Sequence, residues 1–181
     1  KKSMDEEIHL LDQMTANLLE RDRLESKPGS LSIEPTNIYE FVESIVKKKT
    51  KHFKNLVLEI SKSLEKSFSM SIRTNGLKRA IQNIIDKSIT YGKNISFKIN
   101  KEKNNLIFEI EDDGIGIEEK DYEIAFHPFT RLDTSRNQNN HSGVGLGLSI
   151  ANDVIRMHGG QLSLYKSTAL GGLGVRIRLP I

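Results

Sequence analysis

The sequence predicts an α+β fold, in which helices cover one face of a mixed sheet and a long helix precedes this unit. Short apolar segments of strand-like composition alternate with amphipathic helices, and several strands follow one another across polar turns as in hairpins. The 181 residues are enough for one ordinary core. A hydrophobic content of 36% with 28% charged residues excludes a disordered chain.

Composition narrows the function classes. The sequence contains no cysteine, which excludes disulfides, thiolate catalysis and cysteine-zinc sites and fits a reducing, cytoplasmic compartment. No apolar run approaches the roughly 18 residues of a membrane span. The net charge is +3. The densest basic run, residues 47–49, stands at the end of a predicted helix, where cations are favourable, so it predicts a solvated face and no nucleic-acid partner.

The first 27 residues predict a helix of their own. Met4, Ile8, Leu11, Thr15 and Leu18 form a heptad-like seam. Such a seam packs either on a partner helix or on the chain's own domain, and the pattern leaves both open. Residues 28–33 follow as a linker, because the stretch SKPGS contains glycine and proline. We therefore expect a separate domain over residues 34–181 and, since the chain starts without Met inside a helical pattern, a longer parent protein.

The elements of that domain are assigned from apolar periodicity. A helix begins near Asn37, which can cap it together with Glu40. Its expected buried stripe consists of Ile38, Phe41, Val42, Ile45 and Val46. Strands are predicted at 56–60, 68–72, 94–99, 105–111, 161–166 and 174–179, and helices at 75–90 and at the end of the segment 143–157.

The stretch EDDGIGIEE, residues 111–119, has three interpretations: a calcium loop, an exposed acidic turn or a nucleotide pocket. A calcium loop is disfavoured because Lys120 falls where the bidentate glutamate belongs. A strand-end aspartate followed by glycines can accept a hydrogen bond from the exocyclic amine of adenine, so Asp112 would select adenine. A structural turn, in which Asp113 or Glu118 caps the next helix, stays open.

A second glycine cluster, SGVGLGLSI, places Gly143, Gly145 and Gly147 immediately before an amphipathic helix. Backbone N–H groups at a helix N-terminus bind anions such as phosphate. The cluster matches neither a P-loop nor a dinucleotide fingerprint. The alternative is a hinge that binds no ligand.

Four motifs stand in sequence order: NIIDKSITYG (83–92), EDDGIGI (111–117), FHPFTRLD (126–133) and GVGLGLSI (143–150). In this order they resemble the N, first glycine, F and second glycine boxes of sensor histidine kinases of the EnvZ type. These kinases belong to a wider ATPase superfamily with gyrase, MutL and the heat-shock chaperone. The resemblance implies a two-layer α/β sandwich of the Bergerat type for residues 34–181. It implies that residues 1–27 are a remnant of the second helix of a dimerisation hairpin.

The resemblance also implies roles for individual residues. Asp112 takes the adenine amine, and Asn83 faces the phosphates and the metal. Arg131 and the loop to Gly143 form a lid. The base pocket is shaped by Gly114, Gly116, Ile117 and Tyr91, and the phosphates are bordered by Gly143, Gly145, Leu146, Gly147 and Leu148.

The activity implied by the resemblance is transfer of the γ-phosphoryl of ATP to a histidine on the dimerisation hairpin and then to a response regulator. Mg²⁺ would offset the phosphate charge. The parent would be anchored in the bacterial inner membrane, with this part soluble in the cytoplasm. None of the histidines, His9, His52, His127, His141 and His158, has the sequence context of the acceptor. The hairpin acceptor is therefore expected on a separate segment.

One residue departs from the family pattern. Lys87 stands where the resemblance implies an asparagine that binds Mg²⁺, and an ammonium group cannot ligate a metal. Asp86 next to it projects about 100° around the helix, toward solvent. Four interpretations of Lys87 stay open. Lys87 contacts the phosphates itself, or it marks a catalytically impaired signalling module. Alternatively, it is an engineered change, or it swings outward while water completes the metal shell. A hydrolytic ATPase is disfavoured, because it would need a glutamate base where Asn83 stands.

Overall fold

A computed structural model describes residues 32–130, 132 and 145–181. The expected N-terminal helix, most of the linker, Arg131 and Gly143 lie outside the described residues. Seven strands and three helices are present in this part of the chain, and two short 3₁₀ turns, Glu119–Asp121 and Ile124–Phe126, follow the fifth strand. In chain order they are β1 (Glu34–Asn37), α1 (Ile38–Thr50), β2 (Leu56–Ile60), β3 (Ser69–Ile72), α2 (Thr74–Tyr91), β4 (Ile95–Glu102), β5 (Asn105–Asp112), α3 (Gly147–Met157), β6 (Gln161–Lys166) and β7 (Leu173–Pro180).

The main sheet has the strand order β2-β4-β5-β7-β6. Strand β2 runs parallel to β4, whereas the other neighbours are antiparallel. The predicted mixed sheet is therefore confirmed. Because β5 is the central strand, its last residue, Asp112, emerges between β4 and β7, next to the start of β7.

The helices cover one face of this sheet, as predicted. Phe97 and Phe108 lie side by side on that face, with ring centroids 6.3 Å apart, and both are fully buried. Ile81 and Ile84 of α2 belong to the same apolar cluster. The opposite face carries polar pairs, of which the ion pair between Arg176 and Glu109, at 2.6 Å, spans β7 and β5. The period-2 alternation along β4, β6 and β7 thus separates the core from solvent, whereas the central strand β5 is buried along most of its length.

Two features were not predicted. Strand β1 pairs antiparallel with β3 in a separate two-stranded sheet. Residues 34–37 escaped the strand assignment because they contain Pro35 and have no buried apolar residue to reveal an alternation. The β4–β5 hairpin is also longer than expected, since its turn is confined to residues 103 and 104, with Lys103 at a φ of 51°.

The predicted cap of α1 is confirmed. The Asn37 side-chain oxygen accepts a hydrogen bond from the Glu40 backbone N–H at 3.0 Å. The amide nitrogen of Asn37 donates to the Lys66 carbonyl at 2.9 Å. One side chain therefore ends β1, starts α1 and fixes the loop that leads into β3. All five residues of the predicted stripe of α1 are buried.

We predict that Asn37→Ala lowers the free energy of unfolding by about 1 kcal/mol, because a helix N–H and a loop carbonyl lose their partner. Chemical denaturation measures this difference. Asn37→Ser is the matched control, since serine keeps a cap acceptor and should cost less. Equal stability of Asn37→Ala and the parent chain would contradict a capping role.

Candidate nucleotide-binding site

Asp112 is a buried carboxylate held from two sides. Its side chain is 3% exposed. The oxygen Oδ1 accepts from the Gly114 N–H at 3.0 Å and from the Leu173 N–H at 3.1 Å. The Ser88 hydroxyl on α2 also hydrogen-bonds this carboxylate. Since both backbone donors meet Oδ1, the other oxygen, Oδ2, keeps acceptor capacity for a donor in the cavity.

The neighbouring Asp113 has a different, structural role. Its Oδ1 accepts from the backbone N–H groups of Lys93 and Asn94 at 2.6 and 2.9 Å, and Oδ2 accepts from the Asn94 side chain at 2.6 Å. These hydrogen bonds lower the pKa of Asp113. The alternative that Asp113 or Glu118 caps the next helix is wrong. Asp113 instead fixes the turn before β4, and Glu118 pairs with Lys120 at 2.6 Å.

Glycine is required where three segments meet at Asp112. A Cβ placed on Gly172 would lie 2.5 Å from the Asp112 carbonyl oxygen and 2.6 Å from its Oδ1. A Cβ on Gly114 would lie 2.8 Å from the Tyr91 carbonyl oxygen. A side chain at either position would displace the carboxylate or the end of α2. Tight packing of backbone on backbone therefore fixes the orientation of Asp112.

Burial raises the pKa of Asp112 above the ordinary value, although its hydrogen bonds partly oppose the shift. The shift means that the ionised form is less favourable here than in the unfolded chain. None of the hydrogen bonds described above comes from a cation that would offset the negative charge of Asp112. A ligand that donates a hydrogen bond to Oδ2 would offset part of this charge.

A cavity of about 650 Å³ opens beside Asp112. This volume lies in the usual range for small-molecule sites. The predicted site residues that line it are Lys87, Tyr91, Asp112, Gly116, Ile117, Gly145, Gly147 and Leu148. Of the other predicted residues, Gly114 lies behind Asp112, and Leu146 is buried beneath the start of α3.

The second glycine cluster joins the cavity to the F-box segment. Gly145 has a φ of 77°, and its carbonyl accepts from the Phe129 N–H at 3.0 Å. A Cβ at Gly145 would lie 2.7 Å from the Thr130 carbonyl oxygen. Gly145 is thus required by both backbone conformation and space.

Three residues one turn apart on α2 approach this end of the cavity, as their spacing of four predicts. A Cβ placed on Gly147 would lie 4.0 Å from the Asn83 Cβ and 3.7 Å from the Lys87 Cε. The Lys87 Nζ lies 6.0 Å from the centre of the Tyr91 ring. Asp86 instead forms an ion pair with Lys49 of α1 and is 55% exposed. The prediction that Asp86 projects away from the site is confirmed.

The sequence analysis missed several residues of the cavity. Ser88 was given no role in the site, although it hydrogen-bonds the Asp112 carboxylate. Gly171, Gly172 and Leu173 were given no role, and Lys166 at the end of β6 was overlooked. The glycine pair directly before the last strand was the available signal. This signal points to the site only once it is known that β7 pairs with β5, because that pairing brings Leu173 to Asp112.

The model of the family described as "Histidine kinase-, DNA gyrase B-, and HSP90-like ATPase" matches residues 72–181. The chain belongs to this ATPase family. Its domain is of the histidine kinase catalytic type found in two-component sensor kinases. The signal transduction histidine-protein kinase ArlS of Staphylococcus aureus is 46% identical over 65 residues, which are 36% of this chain. The matched segment spans only 14% of the length of that kinase.

Solved kinases share the fold of this ATPase domain. The mycobacterial sensor histidine kinase MprB aligns with a TM-score of 0.68 at 21% identity, covering 82% of this chain and 97% of that one. The histidine kinase domain of the E. coli osmosensor EnvZ gives 0.63 at 25% identity, with coverages of 83% and 90%. Full-length ShkA, in complex with AMPPNP, gives 0.78 at 18% identity, covering 95% of this chain and 36% of that one.

No helix within the described residues is both long enough and apolar enough to cross a bilayer.

We predict that Asp112→Asn does not destabilise the empty domain at neutral pH. The asparagine oxygen can take both backbone hydrogen bonds, while the buried negative charge is removed. Because the folded-state pKa of Asp112 is raised, the parent chain loses stability relative to the variant as the pH rises through that pKa. The difference disappears in acid, where the carboxyl is protonated in both the folded and the unfolded state.

Thermal melting across pH measures this difference. Asp86→Asn is the matched control, since it removes a carboxylate on the solvent side of α2. If Asp112→Asn were much less stable than the parent chain at neutral pH, this account of the buried carboxylate would be contradicted.

Proposed function

We propose that the cavity binds ATP and that Asp112 selects adenine. The observation that carries this proposal is the fixed orientation of the Asp112 carboxylate, which lines the cavity. Two backbone donors occupy its Oδ1, so Oδ2 keeps acceptor capacity for a ligand donor. The exocyclic amine of adenine is a donor that fits this acceptor. Guanine presents an acceptor at the same position and would be repelled.

The remaining site residues are assigned around this contact. Gly116, with a φ of 70°, lets the chain turn over the base, and Ile117 lies against the ring. Tyr91 lines the nucleotide at the cavity mouth, where its side chain is 43% exposed. Gly145 and Gly147 border the phosphates together with Leu146 and Leu148, and Asn83 faces the phosphates. Arg131 and the loop to Gly143 are proposed as a lid from the sequence alone.

The proposed reaction is phosphoryl transfer to a histidine. A nitrogen lone pair of the acceptor imidazole attacks the γ-phosphorus, the bond to the bridging β–γ oxygen breaks, and ADP leaves with that electron pair. The domain contributes mainly by positioning the nucleotide and by electrostatic stabilisation, since this reaction needs little covalent chemistry from the protein. Arg131 is assigned to the charge that develops on the transferred group.

The acceptor is proposed to lie on a dimerisation hairpin supplied by another segment. Among the described residues, the histidine with the most complete set of contacts is His158. Its Nδ1 lies 2.7 Å from the Val154 carbonyl oxygen, and its Nε2 accepts from the Arg73 N–H at 3.0 Å. This arrangement supports a structural role for His158.

The proposed organisation follows from the sequence. Residues 1–27 are the remnant of the hairpin helix, 28–33 the linker and 34–181 the catalytic domain. A response regulator would receive the phosphoryl group from the hairpin histidine. The parent protein would be anchored in the bacterial inner membrane, with this domain in the cytoplasm.

Calorimetric titration with ADP tests the binding proposal. We predict that Asp112→Asn lowers the affinity by about tenfold or more, because a hydrogen bond to a charged acceptor is replaced by two opposed donors. The amide nitrogen would face a 6-oxo base favourably, so the variant should bind GDP relatively better. Asp86→Asn should bind ADP like the parent chain.

Transfer of phosphate from labelled ATP to a separately supplied dimerisation hairpin tests catalysis. Binding with transfer supports a kinase domain. Binding without transfer would favour the alternative of a signalling module that uses nucleotide only as a ligand, and steady phosphate release without an acceptor would favour a hydrolase. Equal ADP affinity of the parent chain and Asp112→Asn would contradict the adenine assignment.

A further inference from the structure

The last residue of β6, Lys166, lies on the cavity side of the sheet. Leu162 and Leu164 of the same strand are buried in the core. Because side chains alternate along a strand, Lys166 shares their face, and it lines the cavity. Tyr165 lies on the opposite face, where the centre of its ring is 5.1 Å from the Arg176 Cζ. The core face of β6 therefore ends with an ammonium group at the cavity.

The backbone next to Lys166 is fixed by the hairpin that joins β6 to β7. The Ser167 N–H donates to the Gly172 carbonyl at 2.9 Å, and the buried Ser167 hydroxyl accepts from the Leu170 N–H at 3.0 Å. The Gly172 N–H in turn donates to the Asp112 carbonyl at 3.1 Å. The hairpin is thus tied to the end of β5, and these backbone contacts set the position of Lys166 relative to Asp112.

Three residues form a row across the strand ends: Asp112 on β5, Leu173 on β7 and Lys166 on β6. Lys166 and Leu173 are register partners, and the Leu173 N–H donates to Asp112 Oδ1 at 3.1 Å. Since neighbouring strands lie about 4.8 Å apart, the backbones of Asp112 and Lys166 are separated by roughly 10 Å. The ammonium group stands on a flexible four-carbon stem, so it can reach a ligand that is bound at Asp112.

The row places an acceptor and a donor in one cavity. A carboxylate only accepts hydrogen bonds, and an ammonium group only donates them. Adenine presents the complementary pair along one edge, which is a donor amine at the 6-position and the acceptor nitrogen N1 beside it. A 6-oxo purine presents the reverse, an acceptor at the 6-position and a proton on N1. The nitrogen N7 is an acceptor in both kinds of purine and does not distinguish them.

We propose that Lys166 donates a hydrogen bond to N1 of the adenine whose amine binds Asp112, so that the two residues read the base together. The inference rests on the proposed function of the cavity. It adds a second contact that selects the base, because a 6-oxo purine would bring its N1 proton against the ammonium group. Leu173 lies between the two charged residues and gives this part of the cavity an apolar lining.

Calorimetric titration of the 181-residue chain with ADP, 7-deaza-ADP and 1-deaza-ADP tests this contact. Lys166→Met keeps an unbranched side chain of similar length without a donor. We expect it to lower the affinity for ADP and for 7-deaza-ADP by about fivefold, the effect of one charged hydrogen bond at an exposed side chain. Because 1-deaza-ADP has a C–H group in place of N1, the parent chain and Lys166→Met should bind it equally.

The matched control is Lys98→Met. Lys98 lies on the opposite face of the same sheet, where it pairs with Glu59 at 3.9 Å. This variant should bind all three ligands like the parent chain. Lys166→Ala, which also lacks the donor, is the second variant, and melting curves establish that each variant is folded.

The outcomes separate this inference from the proposed function. If the parent chain and the Lys166 variants bind ADP equally, the role of Lys166 is overturned and the nucleotide site stands. An equal loss with all three ligands would also overturn it, since the lysine would then act on a part of the nucleotide that they share. A loss that disappears only with 7-deaza-ADP would place the contact at N7 and contradict reading of N1. Absence of ADP binding by the parent chain would overturn the proposed function together with the inference.

Discussion

The site depends on one constraint, which is that the Asp112 carboxylate oxygen Oδ1 is held by backbone donors from two parts of the chain. One donor, Gly114, follows Asp112 in sequence, and the other, Leu173, is the first residue of β7. The pairing of β5 with β7 brings these donors together, and Ser88 adds a contact from α2. The sheet and the main helix thus jointly orient one acceptor toward the cavity.

This arrangement carries an energetic cost on which the proposed selectivity for adenine depends. Burial disfavours the ionised carboxylate and raises its pKa, so the empty site is less stable than it would be with a neutral side chain. A ligand amine would recover part of that cost, which makes binding selective for a donor at that position. Asp113, one residue later, shows the contrasting case. Three hydrogen bonds lower its pKa and commit it to the turn before β4.

Much of the fold could be predicted because its signals are local. The apolar stripe of α1, the cap at Asn37 and the limits of β2 and β6 follow from periodicity and capping within a few residues. The pairing of β1 with β3 could not be predicted, because it joins short segments more than thirty residues apart and has no buried alternation. The residues of the site also fall into those with a local sequence signal and those that depend on long-range pairing. The glycine motifs and Asp112 are visible in the sequence, whereas Leu173, Gly172 and Lys166 become site residues only through the sheet.

Lys87 illustrates what family membership leaves undetermined. The family match over residues 72–181 establishes the kind of domain but assigns no role to Lys87. The spacing of Asn83, Lys87 and Tyr91 predicted a common helix face, and the structure places that face against Gly147.

The most direct test of the central claim is the affinity of the unmodified chain for three nucleoside diphosphates that differ at the 6-position of the purine. ADP carries an amine there and the purine riboside diphosphate a hydrogen, whereas inosine diphosphate carries an oxygen together with a proton on N1. If Asp112 Oδ2 reads this position, ADP binds most tightly and inosine diphosphate most weakly, by about tenfold or more. Equal affinities for the three ligands would show that Asp112 does not read the base.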